Sequence, residues 1–212
     1  MKKLLSIIGF SLVSIVSSAQ YRNHDSNRIG INIGVNQFTL NTSDFNTSPA
    51  IGWNAGLSMR GNFYNNWDMV YGIQFSENNF TVETLNALAM QEDVKFKLSS
   101  AQVSLLLSYR FIENHLSVEF GPMFQLNGKL TLPSEDENNI VSETLLTADE
   151  LTEISNFSFY PTIGITAGIT HLRLNITYQY GVSNILGKFD GPESSDFKGH
   201  AGLLAGNLII YL

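Results

Sequence analysis

Residues 162–182 read TIGITAGITHLRLNITYQYGV, with a large apolar side chain at almost every second position on both sides of the Thr170-His171 step. A period of two marks an extended strand with one apolar and one polar face. The same alternation recurs about eight times along the chain. After the first twenty residues, no stretch approaches the ~20 consecutive apolar residues that a membrane helix requires. If this chain enters a bilayer, it does so as strands.

The faces can be read directly. Ile29, Ile31, Ile33 and Val35 oppose Gly30, Asn32, Gly34 and Asn36; Trp53, Ala55 and Leu57 oppose Asn54, Gly56 and Ser58. Further on, Tyr71, Ile73 and Phe75 oppose Gly72, Gln74 and Ser76, and Val103, Leu105 and Leu107 oppose Gln102, Ser104 and Ser108. Val118, Phe120 and Phe124 oppose Glu119, Gly121 and Gln125, before the two strands of the opening stretch. A last strand, GLLAGNLIIYL, ends the sequence, and its facing does not follow from alternation.

Connections alternate in length. Segments of about 11, 17, 26 and 11 residues follow the first, third, fifth and seventh strands, whereas about 2 to 7 residues follow the second, fourth and sixth. Long loops at one end and short turns at the other match the layout of an outer-membrane barrel. The expected fold is all-β: an eight-stranded antiparallel up-and-down transmembrane β-barrel with periplasmic termini and four long extracellular loops.

Alternation alone does not say which face is inside, because a soluble lipocalin-like barrel has the same period with its apolar residues inward. Volume decides between them. An eight-stranded bore is just wide enough for side chains or one small ligand. Trp53, Trp67, Tyr71, Phe75, Phe120, Phe124, Tyr178 and Tyr180 would overfill it, whereas the opposite face is rich in Gly, Ser, Thr and Asn. The apolar face therefore points outward, where only lipid accommodates so large an exposed apolar surface.

The start of the chain, MKKLLSIIGFSLVSIVSSAQ, has two lysines, a short apolar run and small residues before Gln20, as in a secretory signal. Residues 1–20 are therefore read as a signal peptide and 21–212 as the barrel domain. Cysteine is absent from the sequence, which leaves neither disulfides nor thiolate metal sites. Without Lys2 and Lys3, 10 basic residues face 19 acidic ones, a balance of about −9 that disfavours nucleic acid as a partner.

The charged residues within strands share the polar face toward the short-turn end: Arg60, Asp68, Arg110, Glu119 and Arg173. Three guanidiniums and two carboxylates suit an ion-pair plug in a lumen where water is scarce. Such a plug disfavours a diffusion porin. Trp67, Tyr109 and Phe111 fall at the same end, where an interfacial aromatic girdle is expected.

Other candidates carry less. Segment 133–156 holds seven acidic residues and no basic one; it reads as solvated surface charge, and it lacks EF-hand spacing for a divalent cation. Thr147 and Glu150 form a capping box that predicts a short helix near 148–155. His115 and Ser117 share a strand face, the one arrangement that would suit a Ser-His lipid deacylase, but they lie at the short-turn end without an evident third group beyond Glu119. His24, His171 and His200 lack metal-ligand spacing, and no GxSxG, HExxH or P-loop occurs. No catalytic residue, metal site or cofactor is expected. Pro122 and Pro161 each remove a ladder donor inside a strand, which predicts a local bulge or bend.

SSAQVSLLLSYRF (99–111), SVEFGPMFQLNGKL (117–130), FYPTIGITAGI (159–169) and LRLNITYQYGVSNIL (172–186) together resemble the PorT-like family of small outer-membrane β-barrel domains. That resemblance implies a cell outer-membrane barrel in contact with lipid and, from the family's namesake, a link to secretion or envelope-assembly proteins. It implies no catalytic residues.

Overall fold

The computed structural model describes residues 27–112, 115–144, 146–187 and 197–212. Residues 1–20, read above as a signal peptide, and His24 lie outside the described residues. The strands are β1 (Arg28–Thr42), β2 (Thr47–Tyr64), β3 (Trp67–Leu85), β4 (Gln91–Ile112), β5 (Leu116–Thr131), a two-residue β6 (Ile140–Val141), β7 (Phe157–Gly168), β8 (Leu172–Tyr180) and β9 (Gly199–Tyr211). Every neighbouring pair is antiparallel, and β1 pairs with both β2 and β9. With β2 also bonded to β3, the eight long strands close into a ring and β6 stays outside it.

Side chains alternate as the volume argument requires. Trp53, Phe120 and Tyr178 point outward and are 50%, 45% and 49% exposed, whereas Asn32, Asn54, Gln102 and Thr166 are buried inside. The facing of β9 is now resolved: Ala205, Asn207, Ile209 and Tyr211 point inward, and Leu204 and Ile210 outward.

Two of the four expected long loops are instead strand. β1 and β2 continue until only residues 43–46 separate them, and β3 and β4 until only 86–90 do. On β3 the parity never changes, but its chemistry inverts. Inward residues run Gly72, Gln74 and Ser76 and then Phe80 and Val82, while outward residues run Tyr71, Ile73 and Phe75 and then Glu77, Thr81 and Glu83. Below the inversion the barrel is polar inside and apolar outside; above it the order is reversed, as in a barrel standing in water. The bore is therefore polar along only part of its length.

Lengths place the boundary. From Trp67 to Phe75 the strand runs ~27 Å at ~3.4 Å per residue, about 20 Å of height at a tilt of ~40°, comparable to a bilayer's apolar band. The 22 residues of β4 span ~75 Å by the same rise, so much of that strand stands beyond the bilayer. Its inward Val94, Phe96 and Leu98 form one core with Phe38, Leu40, Phe80 and Val82. The ring of Phe96 stacks on Phe80 at 5.5 Å.

Segment 132–156 closes that upper storey. β6 adds to β3 through Thr84↔Val141 and Leu85↔Ile140, beyond the point where β2 ends. Val141, Leu146, Ala148, Leu151 and Ile154 are buried in the same core. The capping box forms in part, with the Thr147 N–H donating to Glu150 Oε2 at 2.8 Å, but the helix is a single 3₁₀ turn, Asp149–Thr152. Burial of Leu146, Leu151 and Ile154 fixes this segment, so its acidic composition is a surface over an apolar underside.

The prolines do not bulge the strand pair they share. Pro122 lies directly opposite Pro161 in an unbroken β5–β7 register. Their missing donors act on the other neighbours. The β4–β5 ladder lapses between Ser104↔Met123 and Leu107↔Phe120, and the β7–β8 ladder ends at Thr162↔Gln179. Gly121 sits in that lapse because a Cβ there would lie 2.2 Å from Leu105 O.

Candidate functional site

The polar half of the lumen is spanned at two levels. The lower level starts on β2, where Arg60 points inward. Its Nη1 donates to Asp68 Oδ2 at 3.1 Å and to Ser108 Oγ at 2.7 Å, and its Nη2 donates to Glu119 Oε1. Arg110 Nε stands 3.5 Å from Asp68 Oδ1, and its Nη2 donates to Asn65 O in the β2–β3 turn. Glu119 also accepts from Asn175 Nδ2 at 3.1 Å, and Asn175 Nδ2 contacts Thr166 Oγ1 at 2.9 Å. One network thus ties β2, β3, β4, β5, β7 and β8 across the bore.

Four of the five charged positions meet here. Asp68 pairs in register with Ser108, and Ser108 with Glu119, so β3, β4 and β5 present them at one height next to Arg60. Arg173 is buried but takes no part in these ion pairs; its guanidinium carbon lies 5.9 Å from the centre of the Tyr211 ring. The inward placement of Tyr211 on β9 was not readable from alternation, and it supplies the aromatic face on which Arg173 rests.

The upper level is a chain of amides that sequence reasoning missed. Asn32 Nδ2 donates to Gln74 Oε1 at 3.0 Å, Gln74 Nε2 to Gln102 Oε1, and Gln102 Nε2 to Gln125 Oε1 at 2.6 Å. Gln125 Nε2 then donates to Asn127 Oδ1 at 2.5 Å, and Asn127 Nδ2 to Ser158 Oγ at 2.9 Å. The signal was present: Gln74, Gln102 and Gln125 occupy one register, each the inward residue of its strand. Below this chain lies a cavity of about 60 Å³, lined by Asn32, Gln74, Glu119 and Asn207 among others. It has room for a few waters but not for a metabolite.

Aromatic residues gather on the outside of the short-turn end. The rings of Trp67 and Tyr109 are 4.9 Å apart, those of Tyr109 and Phe111 5.0 Å, and those of Trp67 and Phe120 6.1 Å, all nearly edge to face. Phe63 and Tyr64, not singled out from sequence, are exposed beside them.

His115 is exposed in the β4–β5 turn, and Ser117 is completely buried in the lumen with its hydroxyl 3.5 Å from Glu119 Oε1. A hydroxyl with no exposed surface offers nothing for an acyl ester to reach. Among the described residues, no three of His, Asp and Glu gather as a metal site.

The family of the Outer membrane protein beta-barrel domain matches residues 18–187, most of the chain. This chain belongs to that family. It is accordingly an outer-membrane β-barrel protein of Gram-negative type. No curated protein sequence matches it. Solved structures of similar fold include Neisserial surface protein A, 12% identical with a TM-score of 0.49 over 86% of this chain and 96% of that one. The attachment invasion locus protein Ail of Yersinia pestis, solved with the heparin analogue sucrose octasulfate, is 13% identical with a TM-score of 0.49 over 88% and 99%. OprG from Pseudomonas aeruginosa is 12% identical with a TM-score of 0.42 over 89% and 95%.

Proposed function

We propose that this protein is a non-enzymatic, non-conducting outer-membrane barrel that works through its outer storey, as a structural and interaction partner for envelope-assembly or secretion proteins. The short-turn end, with the start of β1 and the end of β9, faces the periplasm, and the storey built from β1–β5, the start of β9 and segment 132–156 stands outside the cell. The observation that carries this reading is the closure of the bore at three successive heights: the Arg60–Asp68–Glu119 network, the Gln74–Gln102–Gln125 amide chain, and the Phe80–Phe96 core. With nothing able to pass, what remains for function is the outer surface.

Planar bilayers containing the refolded protein are the test. Wild type is expected to insert, shown by heat-modifiable gel mobility, and to pass no resolved ionic current. Discrete conductance steps from a uniformly folded sample would overturn the reading.

The rings of Trp67, Tyr109 and Phe111 are proposed to anchor the barrel at the periplasmic interface. Trp67→Ala removes two edge-to-face partners at once, and such pairs contribute about 0.5–1.5 kcal/mol each beyond their burial. A stability loss of about 1–3 kcal/mol in urea titrations of the vesicle-bound protein is expected. An unchanged midpoint and slope would remove the anchoring role.

A further inference from the structure

We propose that the outer wall at β3–β5 binds a phosphorylated lipid of the outer leaflet, with its phosphate held by Lys95, Lys97 and Lys129 and an acyl chain seated in a cleft below them. Lys97 lies opposite Asn79 on β3 and Thr131 on β5, and Lys95 opposite Thr81. All three lysines are exposed. Alternation puts Lys95 and Lys97 on the outward face, two to three side-chain pairs above outward-facing Ala101 and therefore just above the apolar belt. Lys129 joins them through an irregularity: the β4–β5 register shifts between Leu98↔Leu130 and Ser100↔Asn127, so Gly128 and Lys129 are both exposed side by side. Successive outward positions on a strand lie ~7 Å apart, and diagonal cross-strand neighbours ~7–8 Å apart, close enough for three ammoniums to share one phosphate group.

Among the described residues, no carboxylate forms an ion pair with them, and the three ion pairs all lie in the lumen. Glu77 and Glu83 are diagonal neighbours of Lys97 and Lys95 on β3, and exposed Asp93 is the next outward residue beyond Lys95 on β4, but none of the three forms an ion pair with the lysines, and Glu77 Oε1 accepts from Asn79 Nδ2 at 3.4 Å. In a chain of acidic balance, three neighbouring lysines without an ion-pair partner among the described residues form a grouping that the bulge completes.

The second observation is the cleft. On the belt side of the lysines, an open recess of about 330 Å³ lies in the wall, with Trp53, Phe75, Ala101 and Leu126 as apolar sides and Glu77, Ser99 and Gly128 among its polar lining. A cationic rim over a slot with apolar sides at the edge of hydrocarbon matches a lipid with an anionic headgroup that sits on the lysine side, away from Glu77, and lysine stems that span the boundary suit its depth. This inference rests on the orientation proposed above, which places the rim in the outer leaflet, but its test does not depend on orientation.

The test is titration of the refolded protein in a neutral detergent with diphosphorylated lipid A, followed by native mass spectrometry. Parallel arms use the dephosphorylated lipid, the deacylated phosphorylated headgroup, and inorganic phosphate. Wild type is expected to prefer the intact phosphorylated lipid over every other arm. Each Lys→Gln change is expected to weaken binding roughly fivefold, and K95Q/K97Q/K129Q together on the order of a hundredfold, with a matching loss of salt dependence. Lys198→Gln, an exposed lysine on the far side of the ring, serves as the control and should leave binding unchanged. All of these positions are exposed, so heat-modifiable mobility should be retained. Equal affinity for the dephosphorylated lipid, a triple variant that binds like wild type, or headgroup alone binding as tightly as the lipid would each overturn the proposal.

Discussion

Replacing Arg60 with methionine is expected to destabilise the barrel by about 3–5 kcal/mol, the cost of leaving buried carboxylates without their partner. Arg60 is the hub that two carboxylates and Ser108 share, and Arg60, Asp68 and Glu119 are all almost fully buried. Its removal leaves Glu119 with only Asn175, Ser108 and Ser117, and Asp68 with Arg110 at 3.5 Å. The sharper expectation concerns the compensated variant. Arg60→Met combined with Asp68→Asn and Glu119→Gln removes the charges together, and it should regain most of the lost stability, because an apolar or neutral replacement of a whole buried ion network is often harmless. Urea midpoints of the folded form in vesicles, with heat-modifiable mobility as the folding check, read both. Single and triple variants of equal stability would show that the network does not act as a unit.

The second large effect lies in the other storey. Phe96 has no exposed surface and stacks on Phe80 at 5.5 Å with an interplanar angle of 13°. Phe96→Ala should cost that core about 3–5 kcal/mol. Its consequence should be local, because the upper core is apolar and the lumen below it is polar, with Met123 and the Asn127–Ser155 bond as links between them, and regions of one fold can open separately. The expected result is a barrel that keeps its folded gel mobility while protease cuts segment 132–156 at least tenfold faster, since Leu146, Leu151 and Ile154 lose the surface that holds them. Loss of the whole barrel together with the loop would instead show the two storeys to be one cooperative unit.

These two expectations separate what the sequence revealed from what it concealed. Within the bilayer the polar and apolar sets alternate with large contrast, so strand identity, facing and closure could all be inferred. Arg60, Asp68, Arg110 and Glu119 could be placed together because each is a charge on an otherwise small and polar face near one end. Arg173 could not be excluded from them, since its separation depends on the position of Tyr211 on a strand whose facing alternation left open. The upper storey was concealed by inversion. Phe38, Leu40, Phe80, Val82, Phe96 and Leu98 continue the inward parity of Asn36, Asn78 and Ser100, so a search for apolar residues on the outward face finds none and reports a loop. The amide chain was hidden by dispersion: Gln74, Gln102 and Gln125 are far apart in sequence, and only strand register brings them level.

Hydrocarbon lies against the outward apolar face up to Phe75, and water above it. The sequence contains no cysteine, so single cysteines along β3 can be spin-labelled without competing sites. Oxygen and nickel-chelate accessibilities measured by EPR in bilayers should show high oxygen exposure at Tyr71, Ile73 and Phe75, low exposure to both reagents at Gln74, Ser76 and Phe80, and a switch to high nickel exposure at Thr81 and Glu83. Equal nickel exposure along the whole outward face, or high oxygen exposure at Gln74 and Ser76, would contradict this placement of hydrocarbon and water.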